Sequence, residues 1–151
     1  MTTMASAPAF TSPTTPALAR MAYATPASGY RDMEVLSASP ERLTVVVFEH
    51  IVVNLERARL AMEHKNVEVR VTCLARARGL ITELLTTLDF EQGNGLATQL
   101  ADLYQYMLYE LVDVGQRGDQ HVMRKLVSIA TSLRDGFAGA AEQLASMKKS
   151  A

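Results

Sequence analysis

Four stretches of this chain repeat apolar residues at steps of three and four, the period of an amphipathic helix. The first carries Leu43, Val47, Ile51, Leu55, Ala58 and Met62. Ser39-Pro40-Glu41 precedes it, with a hydroxyl for the N-cap, a proline for the first helical position and an acid for the first turn. The spacing predicts a helix over about 40–64. Leu43 to Phe48 is rich in β-branched residues and would also suit a strand. The cap and the helix-favouring run from Leu55 to Lys65 decide for helix.

The second stretch, with Leu74, Ala77, Ile81, Leu84, Leu85 and Leu88 on one side, predicts a helix over 67–88 capped by Asn66. Cys73 and Leu80 widen its apolar face, whereas Arg70, Arg76 and Arg78 read as solvated. Gly79 is either a weak point in this helix or the mark of a close helix approach. The third stretch lies between the glycines of Gly93-Asn94-Gly95 and Gly118, and predicts a helix over 95–117. Leu96, Leu100, Leu103, Tyr104, Met107, Leu108, Leu111 and Val114 make its main stripe. The fourth, over 119–148, has Asp119 as cap and Val122, Leu126, Ile129, Leu133, Phe137, Ala140, Leu144 and Met147 in the most regular stripe of all. Lys148 and Lys149 suit the negative end of that helix.

Short connections make successive helices antiparallel. The expected architecture is all-α: an elongated antiparallel four-helix bundle over 39–148, with no strand. Residues 1–38 break the pattern. They are rich in Ala, Thr, Ser and Pro and hold no helical or strand period. They read as a flexible N-terminal arm, disordered or loosely docked. Tyr30, Met33, Val35 and Leu36 near its end are apolar enough to dock, and composition leaves a docking arm and a plain linker equally open.

Composition narrows the function. The chain has 151 residues, enough for one domain with its own core, with 48% hydrophobic residues, 21% charged residues and a net charge of −1. That balance gives no electrostatic footprint for nucleic acid or an anionic membrane surface. No apolar run is long enough for membrane insertion, and the N-terminus does not resemble a secretory signal, so a cytoplasmic location is expected. The single cysteine, Cys73, excludes an intrachain disulfide and reads as a small buried hydrophobe.

Catalytic chemistry is hard to find. A di-iron bundle needs Glu-x-x-His motifs, but Val47, Ala61 and Gly118 stand three residues before His50, His64 and His121. His50 is the one mid-helix histidine. It is the candidate for the alternative reading, a histidine phosphotransfer or other signalling bundle, although its place at the edge of an apolar stripe also suits a structural histidine. Glu41, Glu49, Glu56 and Glu63 interleave with Arg42, Arg57 and Arg59 and read as a solvated, ion-paired face. No phosphate loop, nucleophile elbow or spaced Cys/His set is present. The expectation is a non-enzyme without cofactor or metal.

What remains is surface. Tyr106, Tyr109 and Val112 lie off the main stripe of the third helix. They are either ordinary exposed residues or interface anchors, because tyrosine joins a large apolar ring to a tip that tolerates water. With Leu103 on the same helix and Leu80 and Leu84 on the second, they form the candidate partner-binding set. A groove receiving an amphipathic helix would use such a face.

Four ordered motifs over about 30–145 resemble one family. Tyr30, Val35 and Ser37-Ala38-Ser39-Pro40-Glu41-Arg42-Leu43 are similar to the opening of the flagellin export chaperones called FliS. Ile81-Thr82-Glu83-Leu84 with Leu88-Asp89, Leu103-Tyr104-Gln105-Tyr106-Met107, and Leu133-Arg134-Asp135-Gly136-Phe137 resemble its later segments. Phe48 and Phe137 stand where the family often has tyrosine and tryptophan, and His50 where it often has glycine. The resemblance implies a chaperone that binds the disordered C-terminal segment of flagellin in apolar grooves. It would prevent early polymerisation and assist delivery to the export gate protein, with a co-chaperone as a possible further partner. It also implies that Tyr30 and Val35 belong to an arm that can lie over apolar surface, with Leu36 beside them as a further docking candidate on its apolar character. A monomer or weak homo-oligomer is expected.

Overall fold

The structure, a computed structural model, describes residues 39–91 and 95–150. Four helices follow one another: α1 (Pro40–Glu63), α2 (Val67–Thr86), α3 (Leu96–Arg117) and α4 (Gln120–Ser150). No strand occurs among the described residues. The valine-rich start of α1 is helical because its ends are well satisfied and its apolar face is covered. Ser39 Oγ accepts from the Arg42 backbone N–H at 3.2 Å, and Pro40 opens the first turn. Asn66 Oδ1 caps α2 through the Val69 N–H at 3.2 Å. Asp119 Oδ1 caps α4 through the N–H groups of His121 and Val122, at 2.9 and 3.3 Å.

Two of the connections are tight. Residues 64–66 turn α1 into α2, with Lys65 at φ 55° in the left-handed region. Gly118, at φ 69°, closes α3 by donating its N–H to Val114 O at 2.8 Å, and Asp119 alone separates it from α4. These short reversals make neighbours antiparallel. α1 is the central element and packs extensively on both α4 and α2, whereas α3 rests chiefly on α2 and only thinly on α4.

The core combines Phe48, Ile51 and Leu55 of α1 with Leu74 and Ile81 of α2, Tyr104, Met107, Leu111 and Val114 of α3, and Met123 and Leu126 of α4. Phe48 ties three helices together. Its ring stacks on Phe137 of α4 at 5.2 Å between centroids and tilts against Tyr104 of α3 at 6.3 Å. Asn54 is the one buried polar side chain among the described residues. Its Nδ2 donates to His50 O at 2.8 Å, while its Oδ1 is buried without a partner.

Several details differ from the sequence reading. α2 ends at Thr86, two residues early, because Thr87 folds its hydroxyl onto Glu83 O at 2.9 Å. Leu96, Leu144 and Met147 continue their helices' apolar stripes yet are exposed. Gly79 faces open space, so it marks no close approach; Gly115 lies against α2, where a Cβ would meet Leu74 Cδ1 at 3.7 Å, an ordinary contact. Of the three arginines on α2, only Arg76 is fully solvated, and Arg70 and Arg78 are half-buried.

Candidate docking surface

On α2, Val67, Val71, Leu74 and Arg78 recur at steps of four, three and four, and so line one edge of the helix. That edge turns toward α3, where Val112 and Gly115 face it. Between them runs an open cleft of about 280 Å³ lined by Val71, Leu74, Arg78, Val112 and Gly115. Leu74 is 2% exposed, while Val71 and Val112 are 54% and 51% exposed. The cleft therefore has a buried apolar floor and two apolar walls open to solvent. The missing side chain at Gly115 keeps it open.

The candidate set from the sequence divides. Val112 belongs to the cleft. Tyr106 is six residues away, about 120° around the helix, and faces α4. There the Lys125 ammonium sits 5.7 Å from its ring centroid, a cation–π contact across the thin α3–α4 seam. Tyr109, between them, is 72% exposed and points away from both neighbours. The three residues thus span the outer surface of α3 rather than forming one compact patch. Leu80 and Leu84 are buried in the core, and Leu103 is half-buried against it, so these three support the surface from beneath. Tyr30, Val35 and Leu36 lie outside the described residues.

Arg78 reads in the sequence only as a solvated arginine, and Val71 and Gly115 carry no surface role there, so their part in the cleft is missed. Their helical spacing is visible in the sequence, but their meeting depends on the register of α2 against α3.

Other candidates for chemistry are dispersed. His50 is exposed on α1, and Cys73 is buried. Arg59 bridges Glu56 at 3.0 Å and Glu63 at 3.1 Å, so the charged face of α1 is ion-paired only there; Glu41, Glu49, Arg42 and Arg57 form no salt bridge among the described residues. Burial pushes the Tyr104 hydroxyl up to about 12. Among the described residues, no three His, Cys, Asp or Glu side chains are grouped to hold a metal ion. No described helix is long and apolar enough to cross a membrane.

The chain matches the model of the family described as flagellar protein FliS over residues 22–144. It is 31% identical over 104 residues to the flagellar secretion chaperone FliS of Salmonella typhimurium, covering 68% of this chain and 77% of that protein. It is 29% identical over 108 residues to the flagellar secretion chaperone FliSB of Pseudomonas aeruginosa, covering 72% of this chain and 86% of the relative. With the Bacillus subtilis flagellar secretion chaperone FliS it shares 26% identity over 117 residues, 78% of this chain and 86% of the relative. A helical bundle with an open apolar cleft, matched over most of its length by these proteins, belongs to the FliS family of flagellar secretion chaperones.

Proposed function

We propose that this chain is a cytoplasmic export chaperone that binds the disordered C-terminal segment of flagellin, keeps it from polymerising early and assists its delivery to the flagellar export gate. The observation that carries this reading is the open apolar cleft between α2 and α3 in a member of this chaperone family. Exposed valine walls over a leucine floor suit the apolar face of an amphipathic segment. A disordered client loses chain entropy on ordering. Buried apolar area offsets this at about 25 cal/mol per Å². Such holding needs no nucleotide.

The apolar arm residues Tyr30, Val35 and Leu36 have a different reach. Leu36 is four residues from Pro40, which limits it to roughly 14 Å from the start of α1. We assign Val35 and Leu36 to that end of the bundle, beside the exposed Leu144 and Met147 of α4, whereas Tyr30, ten residues from Pro40, has a reach of roughly 35 Å that extends to the α2/α3 cleft.

Calorimetric titration of the flagellin C-terminal segment from the same genome tests the main reading. One segment is expected to bind per chain, and Gly115→Leu, which fills the cleft, is expected to weaken binding strongly. The absence of any complex at micromolar concentrations would reject the reading.

A further inference from the structure

The cleft contains one charge. Arg78 is half-buried on its wall, and no carboxylate lies within 4.0 Å of it among the described residues. Its own helix cannot supply one, because the residues three and four positions away are Leu74, Ala75, Ile81 and Thr82. Across the cleft, Val112 and Gly115 offer none, and the neighbouring Asp113 is engaged by Arg117 at 3.1 Å. Arg59, Arg117 and Arg134 each pair with an acid on their own helix; Arg78 is among the described arginines that do not, and it is the one on the cleft wall. Arg78 is partly withdrawn from water without receiving a counter-charge.

We propose that the cleft selects a client segment in which an acidic residue accompanies the apolar anchor, with Arg78 as the recognising group. This rests on the reading above that the cleft is a client-docking site. The client's apolar side chain enters between Val71 and Val112, over Leu74 and beside the bare backbone of Gly115. Its carboxylate accepts paired hydrogen bonds from the Arg78 guanidinium, a planar donor matched to two oxygens. The chemistry gives Arg78 a task the apolar walls cannot perform. Two valines over a leucine accept an amphipathic helix in several registers, because apolar burial is non-directional. One charge pair on the wall fixes a single register and rejects segments that would place a cation there.

The test uses the full chain and synthetic amphipathic peptides that share one leucine-rich face. They differ at one position beside the anchor, which carries Glu, Gln or Lys. The Glu peptide is expected to bind roughly three- to tenfold more tightly than the Gln peptide, as suits a charge-assisted, partly exposed pair. The preference should shrink at high salt. It should vanish in Arg78→Gln and turn toward the Lys peptide in Arg78→Glu, with thermal unfolding confirming that both variants fold. Equal affinity for Glu and Gln peptides in the unaltered chain, or preferences indifferent to Arg78, would overturn the proposal. If Gly115→Leu still weakens every peptide in that case, cleft docking stands and only acid recognition falls. If Gly115→Leu changes nothing, the docking assignment falls with it.

Discussion

Over 24 residues α1 buries eight side chains, from Val45 to Ala61, whereas over 31 residues α4 buries four, the last of them Ala141. The sequence suggests the opposite ranking. α4 has the more regular stripe, and α1 begins with a run that would pass for a strand. The difference lies in what surrounds them. α1 is packed from two sides, by α2 and α4, so its face is buried from Val45 to Ala61. α4 shares one extensive interface with α1 and a thin one with α3, then runs on after its neighbours stop. At 1.5 Å per residue α4 is about 46 Å long against about 36 Å for α1, and residues 142–150 are exposed throughout. Periodicity therefore reports that a helix has an apolar face, and the length and placement of its neighbours decide how much of that face is buried.

The sharpest way to break this comparison is to truncate one leucine in each region. Leu55→Ala, in the middle of α1, should destabilise the protein by about 2–5 kcal/mol in urea unfolding, because the cavity is enclosed on all sides. A loss below about 1 kcal/mol would mean that the α1 seams can collapse around the gap.

Alkaline titration examines the ring cluster that α1 shares with its neighbours. Tyr104 keeps its proton up to about pH 12 in the folded chain, whereas an unfolded tyrosine loses it near 10. The raised native value leaves stability unchanged below pH 10. Between 10 and about 12 the unfolded state alone is favoured by ionisation, and stability falls by about 1.4 kcal/mol per pH unit. Tyr104→Phe should remove this step from the stability–pH profile.

Ser39→Ala should cost about 1 kcal/mol by removing the side-chain cap of α1, again by urea unfolding. The smallest effect belongs to the far end of α4, where Leu144→Ala should change stability by less than about 0.5 kcal/mol. A larger loss there would show that the arm assigned to this end packs firmly on Leu144 instead of resting on it loosely.

Much of the bundle was legible in the sequence. Ser39, Asn66 and Asp119 act as the caps their positions indicated, and helix ends fall within two residues of those expected. Local chemistry determines such features, so local sequence reveals them. Tyr104, Met107 and Cys73 are buried as expected. The surface was harder. Val71 and Val112 are 41 positions apart, and nothing local announces that they face each other across a cleft. Tyr106 and Tyr109 share a tripeptide spacing, but α4 claims only Tyr106. Asn54 was passed over because one asparagine in an apolar helix has no distinctive pattern, and its burial follows from where α2 and α4 lie. The two rings that depart from the family pattern, Phe48 and Phe137, stack on each other, a relation visible only in three dimensions.

The corner formed by Gly118 and Asp119 has a mechanical consequence. Two residues hold the end of α3 against the start of α4, while the seam beyond them is thin. Like the blades of shears, the two helices can separate only in proportion to distance from that pivot. The Tyr106–Lys125 contact lies between the pivot and the tips and resists the first part of the opening. The widest aperture falls near Leu96, where α4 continues through Leu144 and Met147, and there the same small angle gives the largest displacement.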